Sequence, residues 1–179
     1  MQIWDVHEMT AVKPVYMLTG PTGSGKTTCL KQWIADHKHK NMAGILCPVI
    51  DGNRYLLDIS SGYRKQLELK REPSEETPAA IQVGRFHFDE TVFSWARQKL
   101  LIQRRQEPAW LIIDEVGPLE LRAQGLEPAV SQVIQDADFR LRVPVLIVVR
   151  HSLKDRVINH LKIFDSMREI NVNNLQSLD

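Results

Sequence analysis

Gly20-Pro21-Thr22-Gly23-Ser24-Gly25-Lys26-Thr27 decides how the rest of the chain is read. These eight residues fit G-x-x-x-x-G-K-(S/T), a loop that cradles phosphate. Before them stands VYMLT (residues 15–19), apolar and β-prone, which predicts a buried strand. After them, Thr28, Cys29, Leu30, Trp33 and Ile34 put apolar residues on one face of a helix expected over residues 25–37. Strand, loop and helix in that order are the context the motif requires. Glycines let backbone N–H groups curl around an anion without Cβ clashes. A helix N-terminus adds unpaired donors and positive partial charge. The phosphate-binding set is therefore Gly20, Pro21, Thr22, Gly23, Ser24, Gly25, Lys26, Thr27 and Thr28. Lys26 is expected to reach the β- and γ-phosphates, and the Thr27 hydroxyl can ligate Mg²⁺.

The second chemical element lies some ninety residues on. AWLII (residues 109–113) reads as a buried strand and runs into Asp114-Glu115. An apolar strand ending in an acid is the Walker B arrangement, in which the acid holds Mg²⁺ directly or through water. Ligands of parallel α/β sheets sit at the C-terminal edge of the strands, so Asp114 and the Walker A loop should meet there. Glu115 is then placed to polarise a water as general base. A third buried strand, residues 143–149 (VPVLIVV), ends at Arg150 on the same edge. Arg150 suits stabilisation of charge developing on a γ-phosphate, although an ordinary salt bridge accounts for it equally well. His151 reads as a capping or surface residue.

Between these elements the chain alternates. GILCPVI (44–50), the Asp51-Gly52 turn and RYLLDI (54–59) read as a β-hairpin, with YRKQLELK (63–70) as a third strand. Together they predict an antiparallel meander over about residues 44–70, inserted into an otherwise β/α chain. REPSEETP (71–78) reads as an exposed loop and IQVGRFHF (81–88) as one strand. Asp89 is the expected N-cap of a helix whose face is Val92, Phe93, Ala96, Leu100 and Leu101. Gly117-Pro118-Leu119-Glu120-Leu121 forms a tight loop. A helix should follow from Leu126 to Ala137 with Pro128 in its first turn, then a short one over 153–161, and a last strand over 167–172 before a turn capped by Asn173. Residues 1–13 form an N-terminal arm without a clean period.

Composition bounds the rest. One domain is the natural reading of 179 residues. Hydrophobic residues make up 43% and charged residues 25%, which suits a globular chain with a real core. A net charge of +1 gives no push toward nucleic acid or an anionic membrane. Arg104-Arg105 and Lys38-His39-Lys40 read as solvated helix ends that complement the helix dipole. No apolar run is long enough to span a bilayer. Cys29 and Cys47 suggest neither a disulfide framework nor a metal site, so a reduced, cytoplasmic setting is expected.

With the Walker A loop, the Asp114-Glu115-Val116-Gly117-Pro118-Leu119-Glu120-Leu121 run and the meander placed, the chain resembles the small P-loop nucleoside-triphosphatases. That group includes the human cancer-related nucleoside-triphosphatase. The distinctive part is D-E-x-G-x-(M/L)-E-L, and its offset from the Walker A loop also fits. The resemblance implies a RecA-like α/β fold: a mostly parallel sheet flanked by helices, with the β insertion. It implies Mg²⁺-dependent hydrolysis of ATP, GTP and other nucleoside triphosphates with loose base preference. By it, Gly23, Gly25, Lys26, Thr27 and Thr28 bind phosphates and metal, Asp114 is the metal-side acid and Glu115 the base. Two stretches depart from the family's pattern. Leu46-Cys47-Pro48-Val49 stands where relatives carry an E-V-R-like segment, leaving Arg54 as the later arginine, and Val148-Val149-Arg150 replaces a Thr/His pair. Two further readings stay open. One is a kinase passing the γ-phosphate to a small acceptor held near Arg54, Arg85 and His87. The other is a slow switch that signals to a protein partner through the meander or the arm.

Overall fold

The computed structural model describes residues 12–70 and 79–178. Five parallel strands form its centre: β1 (Val15–Gly20), β2 (Met42–Leu46), β8 (Trp110–Asp114), β9 (Val145–Arg150) and β10 (Met167–Ile170). They lie in the order β10-β1-β9-β8-β2, so the parallel core alone runs 5-1-4-3-2. β3 (Val49–Ile50), β4 (Asn53–Asp58) and β5 (Arg64–Gln66) extend the sheet beyond β2 with antiparallel pairing.

Alternation along the strands makes two cores, because successive side chains point to opposite faces. Val15, Met17, Ile45, Ile113 and Ile147 belong to one core. It is closed by α2 (Glu90–Arg104), α3 (Ala129–Gln135) and α5 (Lys154–Leu161) through Phe93, Ala96, Leu100, Val130, Val133 and Val157. Leu18, Leu46, Ile112 and Val148 face the other way, against Leu30 and Trp33 of α1 (Lys26–Asp36). Burial on both faces explains why these strands are continuous apolar runs. β2 and β8 approach so closely at Gly44 (φ +129°) that a Cβ there would lie 1.8 Å from the Ile112 carbonyl oxygen.

Four expected elements are revised. The run 44–50 is two elements. Its first part is β2 of the parallel core, and Cys47-Pro48 separates it from β3. Proline has no N–H to offer a ladder, so the chain leaves the central sheet there. The antiparallel meander is therefore β3, β4 and β5, beyond β2. Its Asp51-Gly52 turn is as expected, with positive φ at both residues. Residues 81–88 are not one strand but a hairpin, β6 (Ala80–Val83) and β7 (Phe86–Asp89), reversing at Gly84 (φ +60°) and Arg85. The helix expected over 126–137 is cut at Asp136, whose carboxylate accepts from the Phe139 N–H at 3.0 Å and starts α4 (Ala137–Arg142). In the last turn the capping acceptor is Asn171, which takes the N–H groups of Asn173 and Asn174. Asp89 caps α2 as expected, accepting from the Thr91 N–H at 2.8 Å. The loop 71–78 and nearly all of the arm at 1–13 lie outside the described residues. Among the described residues, no helix is long and apolar enough to cross a membrane.

Candidate active site

Strand register brings the two motifs together. Gly20, the last residue of β1, pairs with Arg150 of β9, and Asp114 of β8 pairs with Val148. The Walker A loop, Asp114, Glu115 and Arg150 thus share the C-terminal edge of the parallel sheet.

The loop turns through Gly23 (φ +76°) and Gly25 (φ +79°), both left-handed, where a side chain would be strained. Gly25 is the N-cap of α1 and has no side chain to cap it. The first-turn N–H groups therefore keep their donors for an anion. Gly20 closes β1, Pro21 to Ser24 make the exposed turn, and Lys26, Thr27 and Thr28 open α1. Lys26 is buried, 7% exposed, with its ammonium folded back onto the loop. Nζ donates to the carbonyls of Gly20 (3.0 Å) and Pro21 (2.7 Å) and to Ser24 Oγ (3.4 Å).

Across the edge, Asp114 is 1% exposed. The Cys47 N–H donates to Oδ2 at 3.3 Å, and the Thr27 side chain helps to hold the carboxylate charged. Burial outweighs both and pushes its pKa up to about 6. The Asp114–Glu115 peptide is cis. Glu115 Oε1 pairs with Arg150 Nε at 2.8 Å, each side chain about one-third exposed. So the two residues expected to act on the γ-phosphate side do meet, as an ion pair. His151 is exposed and opens a single 3₁₀ turn before α5.

Glu120 stands in the D-E-x-G-x-L-E-L run, and the sequence alone assigns it no task. It is 4% exposed and accepts from the N–H groups of Gly117 (2.8 Å) and Leu126 (2.9 Å). Burial raises its pKa. Glu120 thereby ties down the loop that leads out of Glu115. The signal was its place in that run, but its partners are visible only in the folded chain. A cavity of about 360 Å³ opens beside Glu115 and Arg150, between this loop, the meander and the β6–β7 hairpin. Arg54 and Arg85 line it and lie over the Phe86 ring at 4.6 and 5.0 Å from its centroid. Arg54 also pairs with Glu68 at 3.5 Å. His87, between Phe86 and Phe88 on β7, does not reach the cavity.

A phosphate cradle at the head of α1, opposite a buried acid on the neighbouring-but-one strand, defines a P-loop nucleotide-binding α/β domain. Comparison with known proteins narrows the class. The sequence profile of the NTPase family matches residues 15–178, and the chain belongs to that family. Over 154 residues it is 30% identical to nucleoside-triphosphatase THEP1 of Methanopyrus kandleri, covering 82% of this chain and 78% of that protein. Against nucleoside-triphosphatase THEP1 of Sulfolobus acidocaldarius it is 27% identical over 154 residues, covering 76% and 77%. The fold matches the crystal structure of THEP1 from Aquifex aeolicus with a TM-score of 0.67 at 20% identity, over 89% of this chain and 91% of that one. It also matches the solution structure of a human cancer-related nucleoside triphosphatase, TM-score 0.64 at 20% identity, over 92% and 94%.

Proposed function

We propose that the protein hydrolyses nucleoside triphosphates, ATP and GTP among them, to the diphosphate and phosphate with Mg²⁺, in a reducing, cytoplasmic setting. The observation that carries this reading is the convergence of Lys26, Thr27 against Asp114, and Glu115 with Arg150 at one sheet edge. The names of the THEP1 relatives, nucleoside-triphosphatase, support it. Broad base preference is supported by the character of this edge, where the loop amides, Lys26 and Arg150 all address phosphate.

The residues at the edge fit Mg²⁺. Thr27 and Asp114 offer hard oxygen donors, and a carboxylate buried enough to have its pKa raised is short of positive charge. When bound, the ion neutralises charge on the phosphate oxygens. The chain does the rest. Loop amides and Lys26 bind the phosphates, the ammonium exchanging the Gly20 and Pro21 carbonyls for phosphate oxygens. Glu115 accepts a proton from the water that attacks the γ-phosphate in line with the departing diphosphate. Arg150, freed from Glu115, takes up charge developing on the transferred group.

Steady-state phosphate release from a panel of nucleotides, with and without Mg²⁺, tests the reading. Lys26→Ala should abolish nucleotide binding or turnover. Glu115→Gln should keep binding and cut turnover about a hundredfold or more, the scale of a general base. Full activity of the glutamine variant would defeat the assignment.

A further inference from the structure

Hydrolysis needs room for one water, on the order of 10–30 Å³. The cavity beside Glu115 has about 360 Å³, within the range of small-molecule sites. Its walls are chiefly apolar: Leu56, Leu67, Phe86, Phe88, Phe93 and Leu126. They come from the meander, the β6–β7 hairpin, α2 and the loop before α3, so four elements cooperate to build it. Its polar lining includes Thr22 of the Walker A loop, Cys47, Asp114 and Glu120. Glu115 and Arg150 stand toward the phosphate cradle, and Arg54 and Arg85 stand over the Phe86 ring.

The position of this space matters as much as its size. A triphosphate on the Walker A loop presents its γ-phosphate to Asp114 and Glu115, because those are the acids at the edge. In-line displacement requires the attacking oxygen to lie opposite the diphosphate. The cavity runs from Thr22 of the Walker A loop and Asp114 past Glu115 to the meander and the hairpin, so most of it lies beyond the acids that face the γ-phosphate. It is therefore unsuited to the nucleoside of the triphosphate, which lies beyond the diphosphate, and suited to a second molecule whose oxygen replaces water.

We propose that the cavity is a second-substrate site for a small alcohol with an apolar ring body and an anionic group. The ring lies against Phe86 and the leucines, the anion meets Arg85 and Arg54, and the hydroxyl faces Glu115. The step rests on the triphosphate occupying the Walker A loop as proposed above. The hydroxyl oxygen forms a bond to the γ-phosphorus while the bond from that phosphorus to the bridging oxygen breaks. The nucleoside diphosphate leaves with the electron pair, and the hydroxyl proton passes to the Glu115 carboxylate. With the cavity empty of alcohol, water takes the same place and hydrolysis results.

Three probes share one body and differ in charge: 4-(hydroxymethyl)benzoate, benzyl alcohol and 4-(hydroxymethyl)benzamidine. Binding to the full chain is followed by ligand-observed NMR, and products with Mg²⁺ and ATP by mass spectrometry. The benzoate should bind saturably and about tenfold or more tighter than the benzamidine, the scale of a charge-assisted contact. Arg85→Ala, at the exposed tip of the hairpin and so a low risk to folding, should collapse that preference to about threefold or less. Phe86→Ala should weaken all three. A phosphorylated benzoate should form as ATP is consumed. Absence of saturable binding by any probe, a charge preference that survives Arg85→Ala, or binding without phosphorylated product would overturn the proposal. Lys26→Ala keeps the two readings apart. It should lose ATP and still bind the benzoate. Failure of the wild-type chain to bind ATP would sink the triphosphate reading, while probe binding would still judge the cavity.

Discussion

Asp114 should weaken the protein that it equips, and Asp114→Asn measures by how much. The carboxylate is buried, and its pKa is pushed up from 3.8 to about 6. A pKa raised on folding means that the folded protein holds the proton more tightly than the unfolded chain. The associated stability is present in full below about pH 4 and is lost as pH rises through about 6. At pH 7.5 the ionised group therefore costs the fold up to about 3 kcal/mol, at about 1.4 kcal/mol per pKa unit. Asparagine removes the charge and still accepts from the Cys47 N–H, but its amide donors need partners of their own, which cost about 1–2 kcal/mol. The net gain is about 1–2 kcal/mol, or about 2–8 °C in Tm for a chain of this size. Thermal unfolding in EDTA without nucleotide should show Asp114→Asn melting higher than wild type at pH 7.5, with the gap shrinking toward pH 5. Adding Mg²⁺ and a non-hydrolysable nucleotide should reverse the order, because only wild type gains the ion. A variant that melts lower than wild type at pH 7.5, with an equal deficit at pH 5, would show that the buried charge is already fully compensated and refute the reasoning.

Two further substitutions probe other parts of the structure. Gly44→Ala should leave little folded protein by circular dichroism, because its Cβ would sit 1.8 Å from the Ile112 carbonyl at the β2–β8 seam; a cooperative melt within a few degrees of wild type would contradict the close approach. Arg150→Ala should lower kcat about tenfold or more while ADP affinity changes by about threefold or less, if its charge serves the γ-phosphate as proposed. Unchanged kcat would reduce Arg150 to a partner of Glu115.

The residues that were legible in the sequence are those whose task is local. Gly23 and Gly25 permit the loop, Lys26 and Thr27 follow on the first turn of α1, and Asp114 ends a strand apolar enough to be recognised. A mostly parallel sheet then followed from the alternation of β and α, but its strand order did not. The misread stretches are ones where an apolar pattern runs through a change of direction. Residues 81–88 alternate across Gly84, and only the positive φ of Gly84 betrays the hairpin. Residues 44–50 stay apolar across Cys47-Pro48, so the move from the parallel core to the meander is hidden. The cavity was out of reach for a different reason. Leu56, Phe88 and Leu126 are each more than thirty residues from the next, and each reads simply as core. That they leave space between them is a property of the packed chain.

At this edge each charged group is parked on a neighbour. Lys26 is held by carbonyls of its own loop, and Glu115 by Arg150. The second pair is about one-third exposed on both sides, so it contributes about 1 kcal/mol or less and is cheap to open. A γ-phosphate with two negative charges is a stronger partner for the arginine than one carboxylate. On the proposed reading, its arrival draws Arg150 away and leaves Glu115 free to accept a proton. A diphosphate offers no such charge at that position, so the pair stays closed and the base stays occupied. The same two residues that catalyse the step would then distinguish substrate from product without any contact to the base or sugar. The placement of Arg150 on β9, one strand from both Gly20 and Asp114, suits that role.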